Sequence, residues 1–341
     1  MFFCDPFGHT RPENLFNHGR DCHELNYVFM HDQEPVHLDI HAPLFQDVVN
    51  RNQDLDHGYG AHHRAVVISE RDSDLVLQLC SQYNWTPYYY FFHGWAALDW
   101  YRGYDRTFLM TPPEQRQITH SFISPNRIIG GRRPHRVELM YQLLKQGIDR
   151  AWISFPAVCP VEQVPPHQML PHADAEQVFA AAALPWNFPN ETDHPMHSCW
   201  LSLFDESAAS LAYVVTETVF YGRRHHLTEK TFKPIALGMP FVLASTAGSL
   251  AYLRSYGFQT FGEFWDESYD LEQDDTVRLT KIAQLLGELD RMTQVEQQSL
   301  FEKMLPVIQH NHRHFYSGTF ESVLWNELSS MLSTMQQDFA A

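Results

Sequence analysis

The sequence has few cysteines and no long apolar run, and each shortage excludes a class of protein. Five cysteines occur among 341 residues, and none of them forms a C-x-x-C pair. A disulfide framework or a structural zinc site is therefore not expected. No run approaches the roughly 18 apolar residues of a membrane-spanning helix, and the N-terminus lacks the basic and apolar regions of a signal peptide. We expect a soluble, cytoplasmic protein.

Basic residues are also scarce, which limits the partners. The chain has 24 Lys and Arg against 41 Asp and Glu, a formal net charge of −17. Broad attraction to a nucleic acid or to an anionic membrane is therefore not expected, and any anion site must be local. The apolar fraction of 44% and the length predict a folded protein large enough for two ordinary domains.

Neither standard nucleotide fingerprint, G-x-x-x-x-G-K-[ST] or G-x-G-x-x-G, accompanies the basic segments of the chain. Strand-like runs alternate with helical spacing instead. The runs read as strands are "LNYVFM", "RAVVISE", "PYYYFF", "RAWISFP", "SLAYVVTET", "PFVLAS" and "FQTF". The alternation predicts an α/β fold with parallel, doubly wound sheets in two Rossmann-like halves, followed by C-terminal helices. We place the N-terminal domain at residues 1–118, the C-terminal domain at 119–310 and a helical tail at 311–341.

The densest basic segment is "RRHHLTEKTFKPIALGMPFVLAS", residues 223–245. Thr228 occupies a favourable helix N-cap position with Glu229 in the first turn, and helix N-termini bind phosphates through their unpaired N–H groups. The cations that could add charge there are Arg223, Arg224, Lys230 and Lys233. Pro234 predicts a kink or a delayed start of the helix. The alternative is an ordinary charged connection between two strands.

A second basic cluster is "SPNRIIGGRRPHRVELM". Gly130 and Gly131 permit a tight turn, and Arg132, Arg133 and Arg136 gather at the start of the next helix. One such cluster could be a solvated loop. Two clusters, each before a helix, favour a shared diphosphate site.

Carboxylates follow two of the predicted strands. "MHDQEPV" places Asp32 and Glu34 at the C-terminal end of a strand, where open α/β sheets bind their ligands. A carboxylate there could remove a proton from an acceptor hydroxyl. Glu217, in "VVTETVF", also lies at a strand end, where it could hold a sugar hydroxyl or fix an arginine. Solvated acids in a turn are the alternative.

The metal-site signals are weaker. His310, His312 and His314 in "HNHRH" would lie on one side of a strand, but no carboxylate or cysteine has suitable spacing for a shared metal. "RDSD" resembles the DxD metal motif of some glycosyltransferases, yet it opens a predicted helix, where Asp caps are common. We predict no metal site.

"TET…YGRRHHLTEKTFKPIALGMPFVLAS" resembles the signature of the α1,3-fucosyltransferase family, in which a strand end leads through a turn to a T-E-K that opens a helix. "SPNRIIGGRRPHRVELMYQL" is similar to that family's arginine-bearing segment, and "FMHDQEPV" to its strand ending in the proposed base. The chain also resembles uncharacterised, often phage-encoded glycosyltransferases through "DQEP", "RPHR", "TEKTFKP" and "DESYD".

The resemblance implies a GT-B fold, in which two Rossmann-like domains face each other across a cleft that holds a nucleotide sugar, GDP- or UDP-linked, with no cofactor or metal. It implies that Lys230 and Arg136 bind the diphosphate, Glu229 binds the ribose, Glu217 lies near the donor sugar and Glu34 is the base. The rest of the predicted donor site consists of Arg133, Tyr221, Arg223, Thr228 and Lys233. Two departures from the family pattern leave the donor sugar and the base open. Thr218 stands where the family's strand-end F-E-N motif has Asn, and residues 223–226 lengthen the turn that follows.

These features predict an inverting glycosyltransferase, hexosyl- or fucosyltransferase-like, that acts on a hydroxyl of a glycan or other glycoconjugate. Phage encoding would place it in the host cytoplasm. One alternative is a glycosyltransferase for hydroxylated bases of phage DNA, which the net charge of −17 disfavours. Another is a binding module that keeps the nucleotide sugar site without turnover.

Overall fold

The computed structural model describes residues 2–4, 27–31, 34–39, 41–43, 45–46, 63–105, 110–188 and 200–340. These residues form two compact units. The first unit draws on Met1–Ala96, Arg223–His226 and Glu321–Ala341, and the second on Ala97–Gly222 and Leu227–Phe320. The chain thus enters the first unit three times. The domain boundaries proposed from the sequence stay a prediction.

The first unit is built on a parallel sheet in the order β1-β2-β3-β4. Its strands are β1 (Phe2–Cys4), β2 (Tyr27–His31), β3 (Arg64–Ile68) and β4 (Thr86–Tyr89). Its helices include α1 (Asp74–Tyr83), α2 (Phe92–Tyr101, shared with the second unit) and α10 (Thr319–Ala340, from Glu321). The predicted "YYYFF" strand is therefore too long, because Phe92 already begins α2.

Successive residues of β3 point to opposite faces of this sheet, and each face is covered by a helix. Val66 and Ile68 pack with Leu79 of α1. Ala65 and Val67 pack with residues of α10, including Met331. Both faces of β3 are thus buried, as its continuous apolar run requires.

The second unit contains a parallel sheet in the order β6-β5-β7-β8. Its strands are β5 (His120–Pro125), β6 (Trp152–Ser154), β7 (Ser210–Thr216) and β8 (Phe241–Ala244). Its helices are α3 (Pro134–Gln146), α4 (Ala175–Ala181), α5 (Phe204–Ala208), α6 (Glu229–Ala236), α7 (Ser249–Ser255), α8 (Asp275–Arg291) and α9 (Gln294–Tyr316). Short 3-10 turns lie at Arg102–Tyr104, Pro113–Gln115, Pro166–Met169 and Ser268–Leu271. The predicted α/β class with parallel sheets is confirmed in both units.

Two helices matter most for the site, and both begin as the sequence predicts. Proline occupies the first helical position of α3, where its missing N–H loses no bond, and Gly147 ends the helix in the left-handed region at φ 70°. The hydroxyl of Thr228 caps α6 by accepting from the Lys230 N–H. The helix runs through Pro234 without the predicted delay in its start.

Three other expectations are corrected. "FQTF" is not a strand. The "HNHRH" histidines lie in α9, so their spacing follows a helix and does not place all of them on one side. The segment from about Cys159 to Pro195 is rich in Pro, Ala and His, which predicts an irregular excursion, but its described part, up to residue 188, contains α4.

In the described residues, no helix combines the length and the apolar character needed to cross a bilayer.

Candidate active site

The carboxyl end of β7 is the point at which the predicted donor-binding residues meet. Glu217, the first residue after this strand, is completely buried. Its Oε1 accepts from the Thr228 backbone N–H at 2.9 Å and from the Thr231 hydroxyl at 2.6 Å. Its Oε2 accepts from the Thr228 hydroxyl at 2.7 Å. The carboxylate therefore ties the N-terminal turn of α6 to the end of β7.

The N-terminal turn of α6 carries a charged pair at the edge of this network. The Lys230 ammonium donates to Glu229 Oε1 at 2.9 Å and to the Thr228 hydroxyl at 3.1 Å. The Lys230 side chain is 32% exposed, whereas that of Glu229 is 7% exposed. Lys230 can thus exchange these partners for a ligand without unfolding the turn. Lys233 is half-buried, one turn further along α6.

The N-terminal turn of α3 is fixed to the same strand end by Arg136. Its guanidinium donates to the carbonyls of Thr216 and Ile128, each at 2.6 Å. Burial, and then the nearby Arg133, lower the pKa of Arg136 to about 9, while Glu217 and Glu229 partly oppose the shift. The Nε–H of Arg136 is buried without a partner. A buried cation with a spare donor is well suited to an anion.

His135 links three of the predicted residues, although it was not predicted. It is fully buried beside Arg136, and its Nε2 lies 3.0 Å from the Glu217 carbonyl oxygen. Burial, then Arg136, holds the pKa of His135 well below its usual 6.5, so the ring is neutral. Because a carbonyl only accepts, Nε2 carries the proton. No spacing in the sequence distinguishes a histidine of this kind.

Tyr221 covers the other side of that histidine. The His135 ring stacks on Phe220 at 4.8 Å between centroids, and Tyr221 meets it edge-on at 5.8 Å. Tyr221 is 37% exposed, and burial raises the pKa of its hydroxyl to about 12, so the phenol is neutral. An exposed, neutral aromatic face beside two cationic helix starts is chemically suited to a nucleotide.

The glycine turn before α3 is held by the loop that follows β6. A Cβ added to Gly130 would clash with the Glu162 carboxylate, the Cys159 thiol and Val161, so only glycine fits. Glu162 accepts from the Gly131 N–H at 2.6 Å. The half-buried Arg133 lies at the helix N-cap, with its guanidinium 3.5 Å from the Gly130 carbonyl oxygen.

The structure therefore gathers most of the predicted donor site in the second unit. The members that these contacts and charges bring together are Arg133, Arg136, Glu217, Tyr221, Thr228, Glu229 and Lys230. Arg223 belongs to the first unit, where its carbonyl accepts from the Asp74 N–H. Glu34 also belongs to the first unit and is exposed, whereas Asp32 lies outside the described residues.

Glu70 is a second buried carboxylate that was not predicted. It lies two residues beyond β3 and is 2% exposed. The signal that could have found it is its place in "VVISERDS", an acid at a strand end like Glu34 and Glu217. In the neighbouring "RDSD" motif, Ser73 is the N-cap of α1.

Within the described residues, no group of three or more His, Cys, Asp or Glu side chains is arranged to hold a metal ion. The metal independence of the predicted reaction stays a prediction.

A cavity of about 590 Å³ lies at the opposite end of α6. Its lining includes Leu237 and Gly238, whose carbonyls accept from the Arg116 guanidinium. No predicted site residue belongs to its described lining. The cavity and the predicted donor site are thus separated by the length of that helix.

No protein-family model and no curated protein matches the sequence. Among solved structures, an apo structure of OtsA is similar, with a TM-score of 0.40 and 13% identity. The match covers 95% of this chain and 72% of OtsA. A likeness this slight carries no argument about activity, so a functional conclusion depends on the chemistry of the site itself.

Proposed function

We propose that the protein is an inverting, metal-independent glycosyltransferase that moves a sugar from a GDP- or UDP-linked donor to a hydroxyl of a glycan or other glycoconjugate. One observation carries the proposal. The N-terminal turns of α3 and α6 are both bonded to the end of β7, and each brings a cation, Arg136 and Lys230, to that point. Paired helix N-termini with added cations form a diphosphate site.

The chemistry needs charge stabilisation on the leaving diphosphate. As the bond between the anomeric carbon and the phosphate oxygen breaks, negative charge grows on the leaving group. Lys230 would move from Glu229 Oε1 to a phosphate oxygen, and Arg136 would contribute its spare Nε–H. Preformed donors of this kind need little rearrangement in the transition state, which is why they lower its energy.

A carboxylate base completes the reaction. Glu34 is exposed and lies at the carboxyl end of its sheet, beyond β2, so its carboxylate can reach solvent-borne acceptors. It would take the proton of the acceptor hydroxyl as the oxygen attacks the anomeric carbon, which inverts the configuration. Asp32 is the local competitor for this role.

Glu217 would support the reaction by positioning the N-terminal turn of α6. Its two oxygens already accept from Thr228 and Thr231, so its contacts are those of a residue that positions the α6 turn. Direct contact between Glu217 and the donor sugar stays a prediction.

The test begins with a thermal-shift screen of GDP- and UDP-sugars. A donor at 100 times its Kd should stabilise the protein by about 2.7 kcal/mol. Transfer to glycan acceptors is then followed by mass spectrometry, with and without EDTA. Turnover that is lost on chelation and restored by Mn²⁺ would refute the metal-independent mechanism.

The same assay separates the alternatives. Donor binding without transfer to any acceptor would indicate a non-catalytic nucleotide-sugar-binding module, and transfer to hydroxylated DNA would indicate a base-modifying enzyme. For the base, Glu34→Gln should keep donor affinity and lower kcat by about 10²–10⁴-fold. Asp32→Asn should do much less, and the reverse pattern would transfer the role to Asp32.

A further inference from the structure

The first unit contains a buried ion pair outside the predicted donor site. Glu70 and Arg224 join at 3.4 Å between Oε1 and Nη1, and their side chains are 0% and 12% exposed. Burying two charges is unfavourable unless further hydrogen bonds satisfy them. The other partners of this pair therefore matter.

Both members of the pair bind the same residue, Val36. The Val36 N–H donates to Glu70 Oε2 at 2.9 Å, and Arg224 Nη1 donates to the Val36 carbonyl at 2.9 Å. Val36 is 3% exposed and packs in the core beside Ile68 and Phe45. The backbone two residues after Glu34 is thus held through its N–H, its carbonyl and its side chain.

The pair is itself held rigidly. The segment that carries Arg224 pairs with the start of α1 and the turn before it. Asp74 N–H donates to Arg223 O at 3.3 Å, and Arg71 and His225 exchange backbone bonds of 2.9 and 2.8 Å. The Ser73 hydroxyl donates to Glu70 Oε1. The backbone on both sides of Arg224 is therefore fixed, and the Glu70 carboxylate has a further donor.

We propose that Glu70 and Arg224 are positioning residues that fix the loop bearing Glu34. This inference rests on the proposed function, in which Glu34 is the base. The exposed Glu34 side chain depends on its backbone for placement, and a displacement of about 1 Å in a reacting group can lower a rate by about 100-fold. The charge at Arg224 would then serve the acceptor half of the reaction, whereas the sequence suggested phosphate binding.

A double-mutant cycle tests whether the pair acts through Glu34. Arg224→Met removes the charge and the bond to Val36 while keeping most of the side-chain volume. We expect kcat to fall by about 10- to 100-fold with donor affinity unchanged. In the Glu34→Gln background, the same substitution should leave the residual rate unchanged, because the group it positions is already lost. Arg71→Met, which removes a cation from the turn that pairs with this segment, serves as the control and should keep wild-type kcat.

Hydrogen exchange gives a readout independent of turnover. In Arg224→Met and in the milder Arg224→Lys, the Val36 amide should exchange at least about 10-fold faster than in wild type, while β3 amides stay protected. Equal effects of Arg224→Met with and without Glu34, or unchanged exchange at Val36, would overturn the proposal. A wild-type protein that binds no nucleotide sugar would count against the proposed function instead. The exchange result would still test whether Glu70 and Arg224 fix the loop at Val36.

Discussion

Glu70 in the first unit and Glu217 in the second are buried carboxylates in matching places. Each lies just beyond the end of a central parallel strand, and each accepts from the hydroxyl of a helix N-cap, Ser73 for α1 and Thr228 for α6. Both also accept a backbone N–H, from Val36 and Thr228 respectively, at 2.9 Å. The two units thus use one device to join a strand end to a helix start.

The two carboxylates differ in how they are neutralised. Glu70 pairs with Arg224. Glu217 binds N–H and hydroxyl groups, and in the described part of the chain no Lys, Arg or His makes a salt bridge to it. In the first unit Arg224 pairs with the buried carboxylate, whereas in the second Lys230 pairs with Glu229 and Arg136 donates to backbone carbonyls, and under the proposed function both would bind the diphosphate.

The largest effect is expected from removing the carboxylate of the second unit. Glu217→Ala leaves the Thr228 N–H and two hydroxyls without their acceptor in a buried site. Each buried unsatisfied donor is unfavourable by about 1–3 kcal/mol, so the free energy of unfolding should fall by about 3–5 kcal/mol. Urea denaturation measures this loss. A value below about 1 kcal/mol would show that Glu217 does not hold the start of α6 to the end of β7.

Neutral glutamine distinguishes the two carboxylates. Glu217→Gln can keep an oxygen toward the Thr228 N–H and the Thr231 hydroxyl and loses only the acceptor of the Thr228 hydroxyl, so we expect a change of about 1 kcal/mol. Glu70→Gln leaves Arg224 buried without its counter-ion and should lower the free energy of unfolding by about 2–4 kcal/mol. Equal losses in the two variants would mean that the ion pair with Arg224 does not make Glu70 more important for stability than Glu217.

The buried His135 makes the second unit sensitive to acid. The pKa of His135 in the folded protein lies well below the 6.5 of an unfolded chain. Just below pH 6.5, the unfolded chain therefore takes up a proton that the folded chain does not. Stability should therefore fall as pH drops below about 6.5, by up to about 1.4 kcal/mol per pH unit. His135→Phe should remove this part of the slope between pH 6.5 and 5.5. If the dependence of stability on pH is unchanged in His135→Phe, a group other than His135 causes it.

The N-cap residues give the smallest effects. Ser73→Ala and Thr228→Ala should each lower the free energy of unfolding by about 1 kcal/mol, with the larger loss at Thr228, which also serves Lys230. A larger loss at Ser73 would reverse the order expected from these contacts.

The sequence predicted the features that depend on local pattern. The start of α6 at Thr228, the end of α3 at Gly147 and the apolar strands β3, β7 and β8 follow from capping and periodicity. These signals lie within a few residues of each other, so they can be read without tertiary contacts.

The features that were missed depend on contacts between distant residues. Nothing local to Arg224 reveals that its guanidinium bonds Val36, 188 positions earlier. Nor does "RPHR" reveal that His135 stacks on Phe220. Glu34, Glu70 and Glu217 are all acids near strand ends. They differ in burial, because Glu34 is exposed whereas Glu70 and Glu217 are buried, and the sequence does not show this difference.

Calorimetric titration with GDP and UDP tests the central claim, a diphosphate site at the start of α6. One nucleotide should bind the wild-type protein, and Lys230→Ala should weaken it about ten- to a hundred-fold, the value of a charge-assisted contact of about 1.5–3 kcal/mol. Lys281→Ala is the matched control, because Lys281 is another half-exposed lysine of the second unit paired with a carboxylate. It should leave the affinity unchanged. Equal affinities for wild type and Lys230→Ala, or no binding of either nucleotide, would contradict the account.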